Sequence, residues 1–154
     1  MTALTKLLEK AKKSKTVLLG VGNELRGDDA AGPLLIKRLA GKTSFILLDG
    51  GELPENQSAK IIALSPDILF IADAADMAAE AGKTALLTPE DTQNASFSTH
   101  AMPLSFLAKY LRQSLPALEI HIIGIQPRTL AFPSKPSAPV LAAVEKLAAL
   151  MEDK

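Results

Sequence analysis

Two adjacent carboxylates, Asp28 and Asp29, stand in a glycine-rich segment, Gly20-Val21-Gly22-Asn23-Glu24-Leu25-Arg26-Gly27-Asp28-Asp29-Ala30-Ala31-Gly32. The segment follows an apolar run over 16–19. It reads as a strand that stops in a turn, which is where open α/β sheets place their chemistry. Its glycine spacing does not suit a nucleotide. Leu25 stands where a dinucleotide fingerprint needs its third glycine, and Asp28-Asp29 follow Gly27 where a phosphate loop needs Lys and then Ser or Thr. Two negative charges would repel a phosphate. The turn suits a cation, or the polarisation of a water, better than an anion.

Two more carboxylates follow apolar runs: Asp49 after 44–48 and Asp73 after 67–72. In a parallel sheet the ends of neighbouring strands lie ~5 Å apart, so residues just beyond them can converge on one cleft. Of the 2 histidines, His100 lies in a polar loop before a helix and can reach the same edge, whereas His121 lies inside an apolar strand and reads as a packing residue. Asp29, Asp73 and His100 together offer two oxygens and one imidazole nitrogen. That mix suits a first-row divalent metal and leaves coordination positions open. Plainer readings stand beside this one: Asp28 or Asp29 as a helix N-cap, Asp49 before Gly50-Gly51 as a turn former, and Asp73 as a cap for the alanine-rich segment that follows. A buried Asp73 carboxylate would still need partners or a metal. No G-x-S-x-G elbow occurs and cysteine is absent, so neither a serine triad nor a thiol nucleophile has support.

These groups need elements to position them. Leu4, Leu7, Leu8 and Ala11 recur at helical spacing between lysines, which predicts an extra amphipathic helix over 2–14. Strands are expected over 16–19, 44–48, 67–72, 84–87 and 119–125, the third and last fully buried because they are apolar throughout. The third should end at Asp73. Helices are expected over 33–40, closed by Gly41, over 57–64, over 104–115, and at the C-terminus, where Val140, Val144, Leu147 and Met151 share a face. Strands alternating with helices give an α/β fold: a single three-layer domain over 1–154, with a mostly parallel twisted sheet of about five strands between helices.

Composition narrows the function classes. The 154 residues are 47% hydrophobic but only 4% aromatic, so the core must be built from Leu, Ile, Val and Ala. Lys plus Arg (17) balances Asp plus Glu (17), which disfavours nucleic acid or an anionic membrane as a partner found through bulk charge. No apolar run reaches the ~18–20 residues that span a bilayer, and the lysine-studded start does not resemble a signal peptide. Absence of cysteine is compatible with a cytoplasmic protein.

Several blocks, in order from about Lys15 onward, resemble the nickel–iron hydrogenase maturation endopeptidases. They are Gly20-Val21-Gly22-Asn23 with Gly27-Asp28-Asp29 and Gly32-Pro33, then Asp49-Gly50-Gly51, Pro54-Glu55-Asn56, and Asp73-Ala74 with Asp76-Met77. Thr99-His100-Ala101-Met102-Pro103-Leu104 and Gly124-Ile125-Gln126-Pro127 complete the series. Pro54-Glu55-Asn56, Asp76-Met77 and the His100 block look most like the branch serving formate-hydrogenlyase-type hydrogenases. The resemblance implies a nickel-dependent endopeptidase that removes the C-terminal extension of a hydrogenase large-subunit precursor after nickel insertion. It implies that Asp29, Asp73 and His100 ligate Ni2+ carried by the substrate rather than held permanently. Asp29 stands where other branches carry Glu, one methylene longer. Asp28 is a candidate base or supporting group. Gly20, Gly22, Gly27, Gly50 and Gly51 would let backbone approach the substrate tail, with Asn23 and Gln126 as hydrogen-bonding contacts to it. A monomer is expected. The rival readings are a non-cleaving nickel-sensing chaperone that docks the same partner and, less favoured, a small nucleotide-binding domain.

Overall fold

The computed structural model describes residues 2–94, 96–97 and 103–153. The strands are β1 (Thr16–Val21), β2 (Ile46–Gly51), β3 (Ile68–Asp76), β4 (Thr84–Leu87), β5 (Ser96–Phe97) and β6 (Glu119–Ile125). The helices are α1 (Ala3–Lys12), α2 (Ala31–Leu39), α3 (Ser58–Leu64), α4 (Leu104–Ser114) and α5 (Ala138–Met151). The sheet runs β2-β1-β3-β6-β4. Its first four strands are parallel, and β4 is antiparallel to β6. The two-residue β5 pairs antiparallel with the far end of β3. The expected mostly parallel α/β sheet is what the chain forms.

Side-chain alternation sorts the core into two layers. Leu18, Phe70, Ala72, Ile123 and Ile125 point toward α1, α2 and α5, where they meet Leu8, Leu35, Leu39, Val144 and Leu147. Val17, Leu19, Leu69, Ile71, Ile120 and Ile122 point the other way, toward Ile61 of α3 and Leu104, Leu107 and Leu111 of α4. The period of two along β3 therefore puts Asp73 on the α3–α4 side, in line with Leu69 and Ile71. Helix α1 docks by Leu8 and Ala11, the Thr2 hydroxyl accepts the Thr5 N–H at 3.1 Å, and Lys10 and Lys12 sit in its last turn, where they suit the helix dipole. Among the described residues no helix is long and apolar enough to cross a membrane.

The structure corrects three expectations. Strand β3 does not end at Asp73 but continues to Asp76, because β6 keeps offering ladder partners (Asp73 opposite Gly124, Ala74 opposite Ile125) and β5 then takes over. Strand β2 runs on through Asp49-Gly50-Gly51, pairing Asp49 with Gly20 and Gly51 with Val21 across an irregularity in register. Pairing overrides the poor strand propensity of Asp and Gly. Helix α2 begins at Ala31 after an N-cap, Ala30, that makes no side-chain cap. Asp28 and Asp29 instead sit in the 3-10 turn Gly27–Ala30.

Candidate functional site

The carboxyl edge of the sheet gathers four of the buried polar residues. Asp28, Asp29 and Asp73 are each 0% exposed and Gln126 is 6% exposed. Strand order explains the grouping: β1 lies beside β3, and β3 beside β6, so the turn after β1, the end of β3 and the exit from β6 share one edge. Gly20 pairs with Ala72, the residue before Asp73. A side chain at Gly32 could not be accommodated, since its Cβ would lie 2.3 Å from the Val21 carbonyl oxygen and 2.7 Å from that of Ala72. The start of α2 is thus pressed onto the ends of β1 and β3, which draws the Asp28-Asp29 turn against Asp73's strand.

Asp29 is held by the chain that precedes it. Its Oδ2 accepts the Asn23 backbone N–H at 2.8 Å. Gly22, at φ +143°, allows the close pass, and a Cβ there would lie 1.8 Å from the Asp29 carbonyl oxygen. Asn23 is itself tied down, its Oδ1 accepting the Leu25 N–H at 2.8 Å and its Nδ2 donating to Glu52 Oε1 at 3.1 Å.

Asp28 faces away from this arrangement into the loop 127–137. Oδ2 accepts the Arg128 N–H (2.7 Å), the Thr129 N–H (3.2 Å) and the Ser137 hydroxyl (2.8 Å), while Oδ1 accepts the Ser137 N–H (2.6 Å). The Asp28 N–H in turn donates to the Thr129 carbonyl at 2.9 Å. Ser137 is the N-cap of α5, yet its hydroxyl makes no cap. A serine cap is ordinarily worth ~1 kcal/mol. Here the hydroxyl is diverted to Asp28.

Gln126 is equally engaged. Its Oε1 accepts the Met77 and Ala79 N–H groups at 2.7 and 3.3 Å, and its Nε2 donates to Asp76 Oδ1 at 3.2 Å and to the Pro127 carbonyl at 3.3 Å. All four hydrogen-bonding capacities of the amide are used inside the chain. The Ala78 N–H, and after it the Gln126 amide, hold the Asp76 carboxyl below its ordinary value.

The other expected site residues divide. Asp49 is exposed and accepts the Gly51 N–H at 2.9 Å, the turn-forming role weighed for it. Gly20 and Gly27, like Gly22, make close approaches within the chain, with positions for a Cβ 2.5 Å from the Gly32 oxygen and 2.7 Å from the Thr129 oxygen. Gly50 sits 3.0 Å, by the same measure, from a Leu19 methyl. Of these five glycines only Gly51 faces open space among the described residues. His100 lies outside the described residues. Its described flanks are Phe97, paired with Ala75 two residues beyond Asp73, and Pro103, the N-cap of α4. His121 lies at the opposite edge, its ring tilted against that of Phe70 at 5.8 Å between centroids and 2.7 Å from Glu119. Sequence reasoning missed Ser137 and the backbone N–H groups of Arg128 and Thr129. Their only possible signal was a serine before Pro139 and α5, which reads as an ordinary cap.

Known proteins can be set beside this geometry. A family model described as hydrogenase maturation protease matches residues 31–154. The hydrogenase 3 maturation protease of Escherichia coli strain K12 is 39% identical over 132 residues, covering 84% of this chain and 83% of that protein. The crystal structure of a NiFe hydrogenase maturation protease HycI from Thermococcus kodakarensis superposes with a TM-score of 0.82 at 34% identity, covering 94% of this chain and 95% of that one. The solution structure of the endopeptidase HycI from Escherichia coli gives a TM-score of 0.79 at 35% identity, with 90% and 89% covered. A match of this length to the family model, alongside relatives that share over a third of their residues across most of both chains, places the protein: it belongs to the hydrogenase maturation protease family.

Proposed function

We propose that the chain is an endopeptidase that removes the C-terminal extension of a nickel–iron hydrogenase large-subunit precursor, and that the nickel it meets belongs to that substrate. The observation that carries the reading is the pair of fully buried carboxylates at the carboxyl edge of the sheet, Asp29 in the turn that follows β1 and Asp73 in the second half of the adjacent β3. Carboxylates are rarely held there without a task, because their desolvation costs several kcal/mol, on the order of a domain's net stability. Asp29, Asp73 and His100 are the ligands we assign to the substrate's ion. Two oxygens and one nitrogen make an incomplete shell, so the free protein binds Ni2+ weakly and the precursor supplies softer ligands. The ion then bridges the two proteins and brings the tail to the cleft, where it can polarise the scissile carbonyl or a water.

His100 must be neutral to ligate. Metal-dependent recognition therefore weakens in acid, where protons compete with the ion for the imidazole. The lack of cysteine fits a reducing compartment such as the cytoplasm. Intact-mass analysis of the partner after incubation tests the activity. Loss of a C-terminal fragment is the expected result. A partner that binds but keeps its full mass would instead mark a nickel-sensing chaperone.

A further inference from the structure

The structure assigns Asp28 to positioning Asp29 rather than to proton transfer, through the loop 127–137 that it grips. This rests on the reading of Asp29 as a ligand to the substrate's nickel. Asp28 is wholly buried, and both of its oxygens are occupied by four donors, three of them backbone N–H groups some hundred residues away in sequence. A carboxylate so buried and so engaged is turned toward the loop rather than toward open space. What it does is mechanical. Gly27 N–H donates to the Ser134 carbonyl, Ser134 N–H donates to the Leu25 carbonyl, and Arg26 and Ser134 form a parallel bridge. The turn carrying Asp29 is thereby fastened at three successive points, Leu25, Gly27 and Asp28, to one loop. That loop begins at Gln126, which holds the turn following Asp73's strand through Met77 and Ala79. A single segment, 126–137, thus braces the elements that carry both carboxylates.

Asparagine at position 28 keeps the shape but turns an NH2 toward at least one of these N–H donors, so the grip must loosen. Removing a group that orients a ligand typically costs ~10–100-fold in metal affinity or activity. The test compares wild type, Asp28→Asn and Ser137→Ala by amide hydrogen exchange, by calorimetric titration with Ni2+ alone, and by precursor cleavage across pH. In Asp28→Asn, exchange should speed up at Arg128, Thr129 and Ser137 and also at Asn23, whose N–H bonds Asp29. Nickel affinity should fall about tenfold, and kcat should fall ~10–100-fold with KM little changed and the pH profile keeping its shape. Ser137→Ala, which removes one donor and cannot remove a base, should show the same pattern more weakly, and it decides the matter if Asp28→Asn does not fold.

Faster exchange confined to 128–137, with Asn23 protection and nickel affinity unchanged, would overturn the assignment. So would an Asp28→Asn profile that loses its acid limb, the mark of a missing base. Exchange needs no substrate. A wild-type protein that cuts no precursor would therefore count against the proposed function and leave the positioning role to be judged on the exchange data.

Discussion

The two edges of the sheet carry similar residue types and treat them oppositely. At the amino edge, Lys10 meets Glu119 at 2.8 Å and His121 meets Glu119 at 2.7 Å, with side chains 60%, 35% and 20% exposed. Lys10, and then His121, hold the Glu119 carboxyl below its ordinary value. Water could solvate these groups almost as well, so such pairs contribute ~0.2–1 kcal/mol each. At the carboxyl edge, three aspartates are wholly removed from water, and at least one of them, Asp28, needs four donors to stay there. Cheap charge marks the amino edge, and costly charge marks the edge to which we assign the activity.

The contrast can be broken by substitution. The largest effect belongs to the assigned ligands: Asp29→Asn, Asp73→Asn and His100→Ala should each lower precursor processing by more than ~100-fold while the variants still unfold cooperatively, since the amide keeps shape but loses the charge that holds a cation. Gly22→Ala comes next. Its φ of +143° and the 1.8 Å approach to the Asp29 oxygen leave no room for a methyl, so chemical denaturation should show a loss of ~3 kcal/mol or more.

The amino edge should respond far less. His121→Gln should leave processing unchanged and shift stability by under ~1 kcal/mol, read by the same denaturation. Smallest is Glu119→Gln. Because the folded carboxyl is lowered from 4.5, its contribution is fully present above that value and is lost as pH falls through the lower, folded value. Wild type should exceed the variant by ~0.5 kcal/mol at neutral pH, with the two curves converging in acid. A variant at the amino edge that abolished processing would destroy the distinction between edges.

Much of this was legible in the sequence because apolar runs report burial directly. The run 119–125 became β6 and 84–87 became β4 with no shift of boundary, and the Leu104, Leu107, Leu111 spacing became the buried face of α4. That Asp29 and Asp73 lie buried at the same edge followed from placing carboxylates after strands. What failed was the assumption that a carboxylate ends a strand. Asp73 lies inside β3 because β6 supplies its ladder partner, which is a tertiary fact with no local trace. Gln126 was expected to contact a substrate and Asp28 to act as a base or supporting group, and both are turned inward. Their partners are largely backbone N–H groups, which every residue but proline possesses, so no residue type announces them.

Asp29, Asp73 and His100 are the residues we assign to reading nickel carried by the substrate. The most direct measurement gives one enzyme preparation two precursors, nickel-loaded and nickel-free, and follows both by intact mass. The loaded precursor should lose its C-terminal extension and the nickel-free precursor should keep it. Equal cleavage of the two would contradict the assignment of Asp29, Asp73 and His100 to the substrate's nickel.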